Sequence, residues 1–153
     1  MCQRLDKDLF RTIVVNTPLI SIDLIVKDEQ SRVLLGKRIN QPAQGYWFVP
    51  GGRIFKGESF QSACTRICNE ELGRPIEITH ARFLGVYEHF YENNFSGEDF
   101  PTHYVVHGYE INSNLNLLLQ PLIQHECFQW ISVPDLLSSD TVHQYTKDYF
   151  IIR

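Results

Sequence analysis

Residues 59–72, SFQSACTRICNEEL, constrain the fold more than any other stretch of this chain. On a helical wheel at ~100° per residue, Phe60, Ala63, Cys64 and Ile67 share one apolar stripe at i, i+3, i+4, i+7 spacing. Glu71 falls four residues after Ile67, near the centre of that stripe, with Glu70 and Arg66 beside it. A carboxylate aimed at a core is costly unless it meets a cation or a metal ion. Three readings of the pattern stand open: a Glu71–Arg66 ion pair, a helix rotated so that Glu71 reaches solvent, and a metal site.

The rest of the chain supplies a sheet for this helix to pack on. A short helix is expected over 6–15, with Leu9, Ile13 and Phe10 on one side. LISIDLIV (19–26) is rich in β-branched residues and reads as a buried strand, with 32–38 returning as its hairpin partner. YWFVPGG (46–52) reads as one short strand ending in a Pro-Gly-Gly break. Residues 81–92 and 102–111 are long strands, and a polar loop leads to a last strand at 127–132. Helical turns near 134–138 and 141–151 close the chain. Strands with helices before, between and after them predict a layered α/β (α+β) fold, and 153 residues suit a single domain over 1–153.

Composition narrows the function. At 43% hydrophobic and 21% charged the chain matches a globular protein and excludes disorder. A net charge of −4 argues against a nucleic-acid binder. No run approaches the ~20 apolar residues of a membrane span, and MCQRLDKDLF has no secretory h-region. The expectation is a cytoplasmic protein with reduced cysteines. Cys64 and Cys68, four apart, can touch on one helix face.

The residues around the helix carry a motif. Gly52, Glu58, Arg66, Glu70, Glu71 and Gly73 stand at the offsets G-x5-E-x7-R followed by E-E-x-G. This resembles the Nudix box, G-x5-E-x7-R-E-U-x-E-E-x-G-U, where U is bulky and aliphatic. The resemblance implies a mixed β-sheet sandwiched between helices, with the strand–loop–helix holding a divalent metal ion against a pyrophosphate. Chemistry agrees, because carboxylates three and four residues apart on a helix offer the hard oxygen ligands that Mg²⁺ takes. The Gly51 carbonyl is a further candidate ligand, and Arg66 can orient Glu58 or Glu71 by a two-pronged hydrogen bond.

One position departs from the box. The residue after Arg66 is Ile67, where many Nudix enzymes carry a glutamate that binds metal and acts as base. Cys68 and Arg74 replace aliphatic residues, which is a milder change. Other segments supply an alternative chemistry: GKR (36–38), QPAQGYWFVPGGR (41–53), YEHFY (87–91), NFSG (94–97), THYVV (102–106) and Gln124-His125. Together they resemble the GDP-mannose mannosyl hydrolase branch of the Nudix family, which breaks the sugar C1–O bond. Members of that branch often lack the acid at the Glu70 position, which this chain keeps.

That resemblance implies metal ligation of Mg²⁺, replaceable by Mn²⁺, by the Gly51 carbonyl, Glu71 and Gln124. It makes His125 the general base. Arg38 and Arg53 would neutralise the departing diphosphate, with Tyr104 donating to it, and Asp23 and His89 would position the sugar end. Gly52, Glu58, Arg66, Glu70 and Gly73 support the box. The implied substrate is a nucleotide sugar, GDP-α-mannose or GDP-glucose, cut to GDP and hexose with inversion, in a homodimer. Taken without the resemblance, His125 in a polar loop reads as solvated surface, Asp23 as a buried hydrogen-bonded carboxyl, and Tyr104 and His89 as packed side chains. Phe10, Phe95 and Tyr91 are aromatics able to stack a purine. Two other functions remain open: a pyrophosphatase attacking phosphorus, which Glu70 and Glu71 favour, and a non-catalytic nucleotide sensor.

Overall fold

The computed structural model describes residues 4–112 and 125–151, with the backbone alone of His125 and Glu126. Helix α1 (Lys7–Asn16) is capped by Asp6, whose carboxylate accepts the Leu9 N–H at 2.9 Å. It is followed by β1 (Leu19–Lys27), β2 (Val33–Arg38), β3 (Trp47–Phe48) and β4 (Gly51–Arg53). The expected single strand at 46–52 is therefore two short ones. Pro50 lies between them, and it has no N–H to give to a ladder. Helix α2 (Phe60–Leu72) starts at Ser59, whose hydroxyl accepts the Ser62 N–H at 3.1 Å, and ends at left-handed Gly73. Then come β5 (Ala81–Tyr91), β6 (Thr102–Asn112), β7 (His125–Ile131), α3 (Val133–Ser138) and α4 (Gln144–Lys147), with a 3₁₀ turn over Asp148–Phe150. The last strand begins two residues earlier than expected, so the His125 backbone belongs to a strand and not to a loop.

The strands form one mixed sheet with the path β3-β2-β1-β6-β5; β4 also pairs with β1 and β7 with β2. Strand β1 runs parallel to β6 along its whole length, from Leu19 opposite Tyr104 to Lys27 opposite Asn112. Its other edge changes partner. Ser21, Ile22 and Asp23 pair with Arg53, Gly52 and Gly51, whereas Lys27 pairs with Val33 of β2. Asp23 thus sits where two neighbouring strands diverge, at the end of the β4 ladder. This is how a carboxylate is accommodated in the middle of an apolar strand.

Both faces of β1 are covered. Ile22, Leu24 and Val26 pack with Cys64, Ile67, Cys68 and Leu72 of α2. Ile25 joins Leu35, Leu136 and Val142 on the opposite side, together with Tyr149 and Phe150. Side chains alternate along a strand, so Asp23 shares the face of Ile25 and looks toward the C-terminal segment. A third cluster joins Val14, Leu19 and Phe100 to Phe10, Ile13, Phe95 and Tyr104. In α1 the buried side carries Phe10, Ile13 and Val14, while Leu9 is exposed. Phe60, expected on the buried stripe of α2, is also exposed and lies against His107, with ring centroids 4.8 Å apart. Cys64 and Cys68 are buried free thiols whose sulfurs are 3.9 Å apart. Among the described residues no helix is long and apolar enough to cross a membrane.

The loop between β5 and β6 is organised by one side chain. Asn94, fully buried, donates to the Glu98 and Phe100 carbonyls at 2.5 and 2.7 Å and accepts from Ser96 N–H at 2.8 Å. Asn94→Ala removes the amide that holds the buried Phe100 carbonyl and the Ser96 N–H, and its expected cost is about 1–3 kcal/mol, read as a lower denaturation midpoint.

Candidate active site

Arg66 ties the loop after β4 to α2. Its Nε and Nη2 donate to the two Glu58 carboxylate oxygens at 2.8 and 2.9 Å. Nη2 also donates to the Arg53 carbonyl at 2.7 Å, and Nη1 to Glu70 at 3.0 Å. The guanidinium lies over the Phe55 ring, 3.9 Å from its centroid. Glu58, its carboxylate buried, accepts the Phe55 N–H at 2.8 Å as well. Burial works against the Arg66 charge, but Glu58 and Glu70 outweigh it and raise its pKa. Of the two partners expected for Arg66, Glu58 and Glu71, the structure selects Glu58, and it adds Glu70.

This knot leaves Glu71 buried at 4% exposure in the wall of a cavity of about 820 Å³. Neither the ion pair with Arg66 nor the rotated helix describes it. The volume suits a nucleotide-sized ligand. The same cavity is lined by Asp23, Arg38, Gly51, Gly52, Arg53, Glu70, His89 and Tyr104, drawn from six different elements. Register explains part of the convergence, since Tyr104 stands opposite both Leu19 and His89. Gln124 lies outside the described residues. His125 is described by its backbone, which pairs with Arg38 across β2 and β7.

The charged groups are held in place. Arg53 lies over both Phe10 and Phe55, 4.8 Å from each centroid, and burial lowers its pKa. Arg38 Nε donates to the Pro42 carbonyl at 2.9 Å. Burial raises the pKa of Tyr104 against the pull of Arg38 and Arg53. Burial also raises Asp23 to about 7; the Tyr149 hydrogen bond and Arg38 oppose that rise, and the Glu71 charge adds to it. His89 is driven down to about 3, first by burial and then by His143. Its Nε2 is buried with no hydrogen-bond partner among the described residues, and Tyr91 Oη stands 3.3 Å from its Nδ1. It is a neutral ring in the cavity wall.

A divalent cation fits this arrangement. The half-buried carboxyl of Asp23 and the buried carboxyl of Glu71 act on each other electrostatically beside Gly51. A Cβ on Gly51 would overlap Asp23 Oδ1 and stand 2.6 Å from the Ile22 carbonyl oxygen. Only glycine brings the backbone this close. Three residues that contact this site carry no sequence signal of their role: Tyr145, Tyr149 and His143. They come from the far end of the chain and meet Asp23 and His89 through tertiary packing.

The NUDIX domain profile matches residues 17–151, and the chain belongs to the Nudix family. It is a hydrolase by that membership. Over 109 residues it is 43% identical to the low-salt glycan biosynthesis protein Agl8 of Haloferax volcanii, covering 71% of this chain and 67% of that protein. Over 70 residues it is 34% identical to an ADP-ribose pyrophosphatase of Methanocaldococcus jannaschii, covering 46% of this chain and 40% of that one. The crystal structure of a MutT NUDIX hydrolase from Burkholderia pseudomallei superposes with a TM-score of 0.69 at 24% identity, over 88% of this chain and 96% of that one. That likeness bears out the mixed-sheet α+β fold.

The chain departs from the family box at Ile67. Its side chain is fully buried in the core and lies against Gly52, where a Cβ would stand 3.1 Å from Ile67 Cγ1. Ile67→Glu places an uncompensated charge in that core, and a stability loss of about 3–5 kcal/mol is expected in chemical denaturation. His89 makes a second, pH-dependent term. Its folded pKa of about 3 lies below the unfolded value, so the unfolded state binds the extra proton and stability falls as pH drops below about 6.5. Between pH 7.5 and 5 the wild type should lose about 2 kcal/mol more than His89→Phe, measured by denaturation at each pH.

Proposed function

We propose that this enzyme hydrolyses GDP-α-mannose, with GDP-glucose as a second substrate, to GDP and the free hexose by water attack at sugar C1. The observation that carries the reading is Ile67: the helix presents core, not a carboxylate, where a phosphorus-side base would stand. The gathering of Asp23, His89, Arg38, Arg53 and Tyr104 around one cavity supports it. So does the likeness to a protein named for glycan biosynthesis. The same reading places the enzyme in the cytoplasm as a homodimer.

Mg²⁺, or Mn²⁺ in its place, would be held by Glu71, the Gly51 carbonyl and Gln124. When bound it supplies positive charge beside the leaving diphosphate. His125 takes a proton from water as the oxygen bonds to C1. The C1–O bond to phosphate breaks on the opposite face, and its electron pair leaves with GDP. The transition state resembles an oxocarbenium ion. GDP is already a stable anion, so no acid need protonate it. Arg38, Arg53 and the Tyr104 hydroxyl receive the charge that develops there. Asp23 and the free Nε2 of His89 take the sugar hydroxyls.

A second reading has its own support. Glu70 and Glu71 both line the cavity, and one relative is named an ADP-ribose pyrophosphatase. Hydrolysis of GDP-mannose in ¹⁸O-labelled water with Mg²⁺ separates the two. Attack at C1 puts the label in the free hexose and none in GDP, and rapid proton NMR finds the β anomer first. Label in GMP or in mannose 1-phosphate overturns the proposal and leaves the Nudix fold standing.

A further inference from the structure

The segment from His143 to Phe150 closes the chain, and nothing in the reaction just described uses it. Its placement is nevertheless specific. Tyr145 and Tyr149 are four residues apart across α4 and the 3₁₀ turn, a spacing that sets two side chains on one side of a helical segment. The Tyr149 hydroxyl donates to Asp23 Oδ2 at 2.6 Å across 126 residues of sequence. The Tyr145 ring stacks on His89, with centroids 4.2 Å apart and planes 6° from parallel. These two tyrosines therefore touch the two residues assigned to the sugar, one each.

The sheet is built to admit them. Gly108 stands opposite Asp23 in the β1–β6 ladder, and a Cβ there would lie 2.9 Å from Tyr149 Cε1. A side chain at that position would push the phenol off the carboxylate. Tyr87 backs the same ring edge-on at 4.5 Å. Tyr145 is fixed from both directions by Phe90: the Phe90 N–H donates to its hydroxyl and that hydroxyl donates to the Phe90 carbonyl, each at 2.9 Å. Phe90 follows His89 in β5, so the ring is held in register with the imidazole it covers. The segment is anchored in turn. The Val49 N–H donates to the buried Thr146 hydroxyl at 3.3 Å, and the His143 N–H to the Trp47 carbonyl at 3.1 Å. His143 Nδ1 accepts the Tyr145 N–H at 3.1 Å and caps the turn.

We infer that Tyr145 and Tyr149 are positioning residues for the sugar end of the site, acting through His89 and Asp23. Tyr149 occupies Oδ2 of Asp23 and commits Oδ1 to the Gly51 side. Tyr145 fixes the plane of His89 and with it the direction of the free Nε2. Neither tyrosine is among the residues that line the cavity. The inference rests on the proposed reading of the sugar end, and it adds a device that sets hydroxyl geometry there from the last turn of the chain.

Steady-state kinetics on GDP-mannose, beside product inhibition by GDP, tests it. Tyr149→Phe keeps the ring and removes one hydrogen bond; kcat/KM should fall about tenfold while the GDP inhibition constant stays within about twofold. Tyr145→Leu should fall by a similar factor, and Tyr145→Phe, which keeps the stacked ring, should restore most of it. In an Asp23→Asn background the further effect of Tyr149→Phe should shrink to less than about twofold, because the partner is already altered. Wild-type kcat/KM in Tyr149→Phe and Tyr145→Leu overturns the inference, as does a GDP inhibition constant that weakens in parallel with kcat/KM. A wild type that turns over GDP-mannose while the variants match it refutes the brace alone. A wild type that leaves GDP-mannose intact refutes the proposed reaction, and the brace with it.

Discussion

The site depends on the Arg66–Glu58 pair. A guanidinium and a carboxylate bonded through both prongs, with the Glu58 side chain removed from water, fix the geometry between the loop and α2. Paired charges in a dry setting are held tightly because separating them would strand both. The same guanidinium holds the Arg53 carbonyl, so the strand that carries Gly51 and the helix that carries Glu71 become one rigid unit. Glu58 also closes the turn through the Phe55 N–H. Remove the pair and the loop loses its tie to the helix, while Glu71 has no fixed distance to Gly51.

Around that unit the cavity balances opposite charges by burying both. Arg38 and Arg53 face Tyr104 and Asp23: Arg38 opposes the rise of the Asp23 pKa, and both arginines oppose the rise at Tyr104. Burial pushes Asp23 up and Arg53 down, toward neutrality in each case. An anionic ligand with its cation relieves both tendencies, because it brings positive charge to the carboxylates and negative charge to the arginines. His89 stands apart as a neutral ring, suited to hydrogen bonding and not to carrying charge.

The aromatic residues serve as supports for these polar groups. Phe10 and Phe55 flank Arg53, Phe55 lies under Arg66, and Tyr145 covers His89. A ring face favours a cation through its quadrupole and restricts a planar guanidinium or imidazole to a parallel approach. Side chains from α1, the loop after β4 and the C-terminal segment thereby hold the chemistry on the sheet. The cation sandwich around Arg53 gives α1 a role beyond covering the Leu19 edge of the sheet.

The sequence by itself determined what is local. The apolar stripe of α2 and the spacing of Gly52, Glu58, Arg66, Glu70 and Glu71 follow from one helical period and one turn, so they are legible in the order of residues. The buried β1 and the two long strands β5 and β6 were likewise legible in the order of residues. Where alternation or amphipathicity was ambiguous, tertiary packing chose: Leu9 and Phe60 face out, and Pro50 divides one expected strand into two. Only the tertiary structure set Glu71 in the cavity wall, selected Glu58 and Glu70 as the partners of Arg66, and brought Tyr149 to Asp23 across 126 residues. The physical reason is that a helix wheel orders residues within one element. The distance from Asp23 to a phenol in the last turn depends instead on a glycine in a neighbouring strand and on the fork where β1 changes partner.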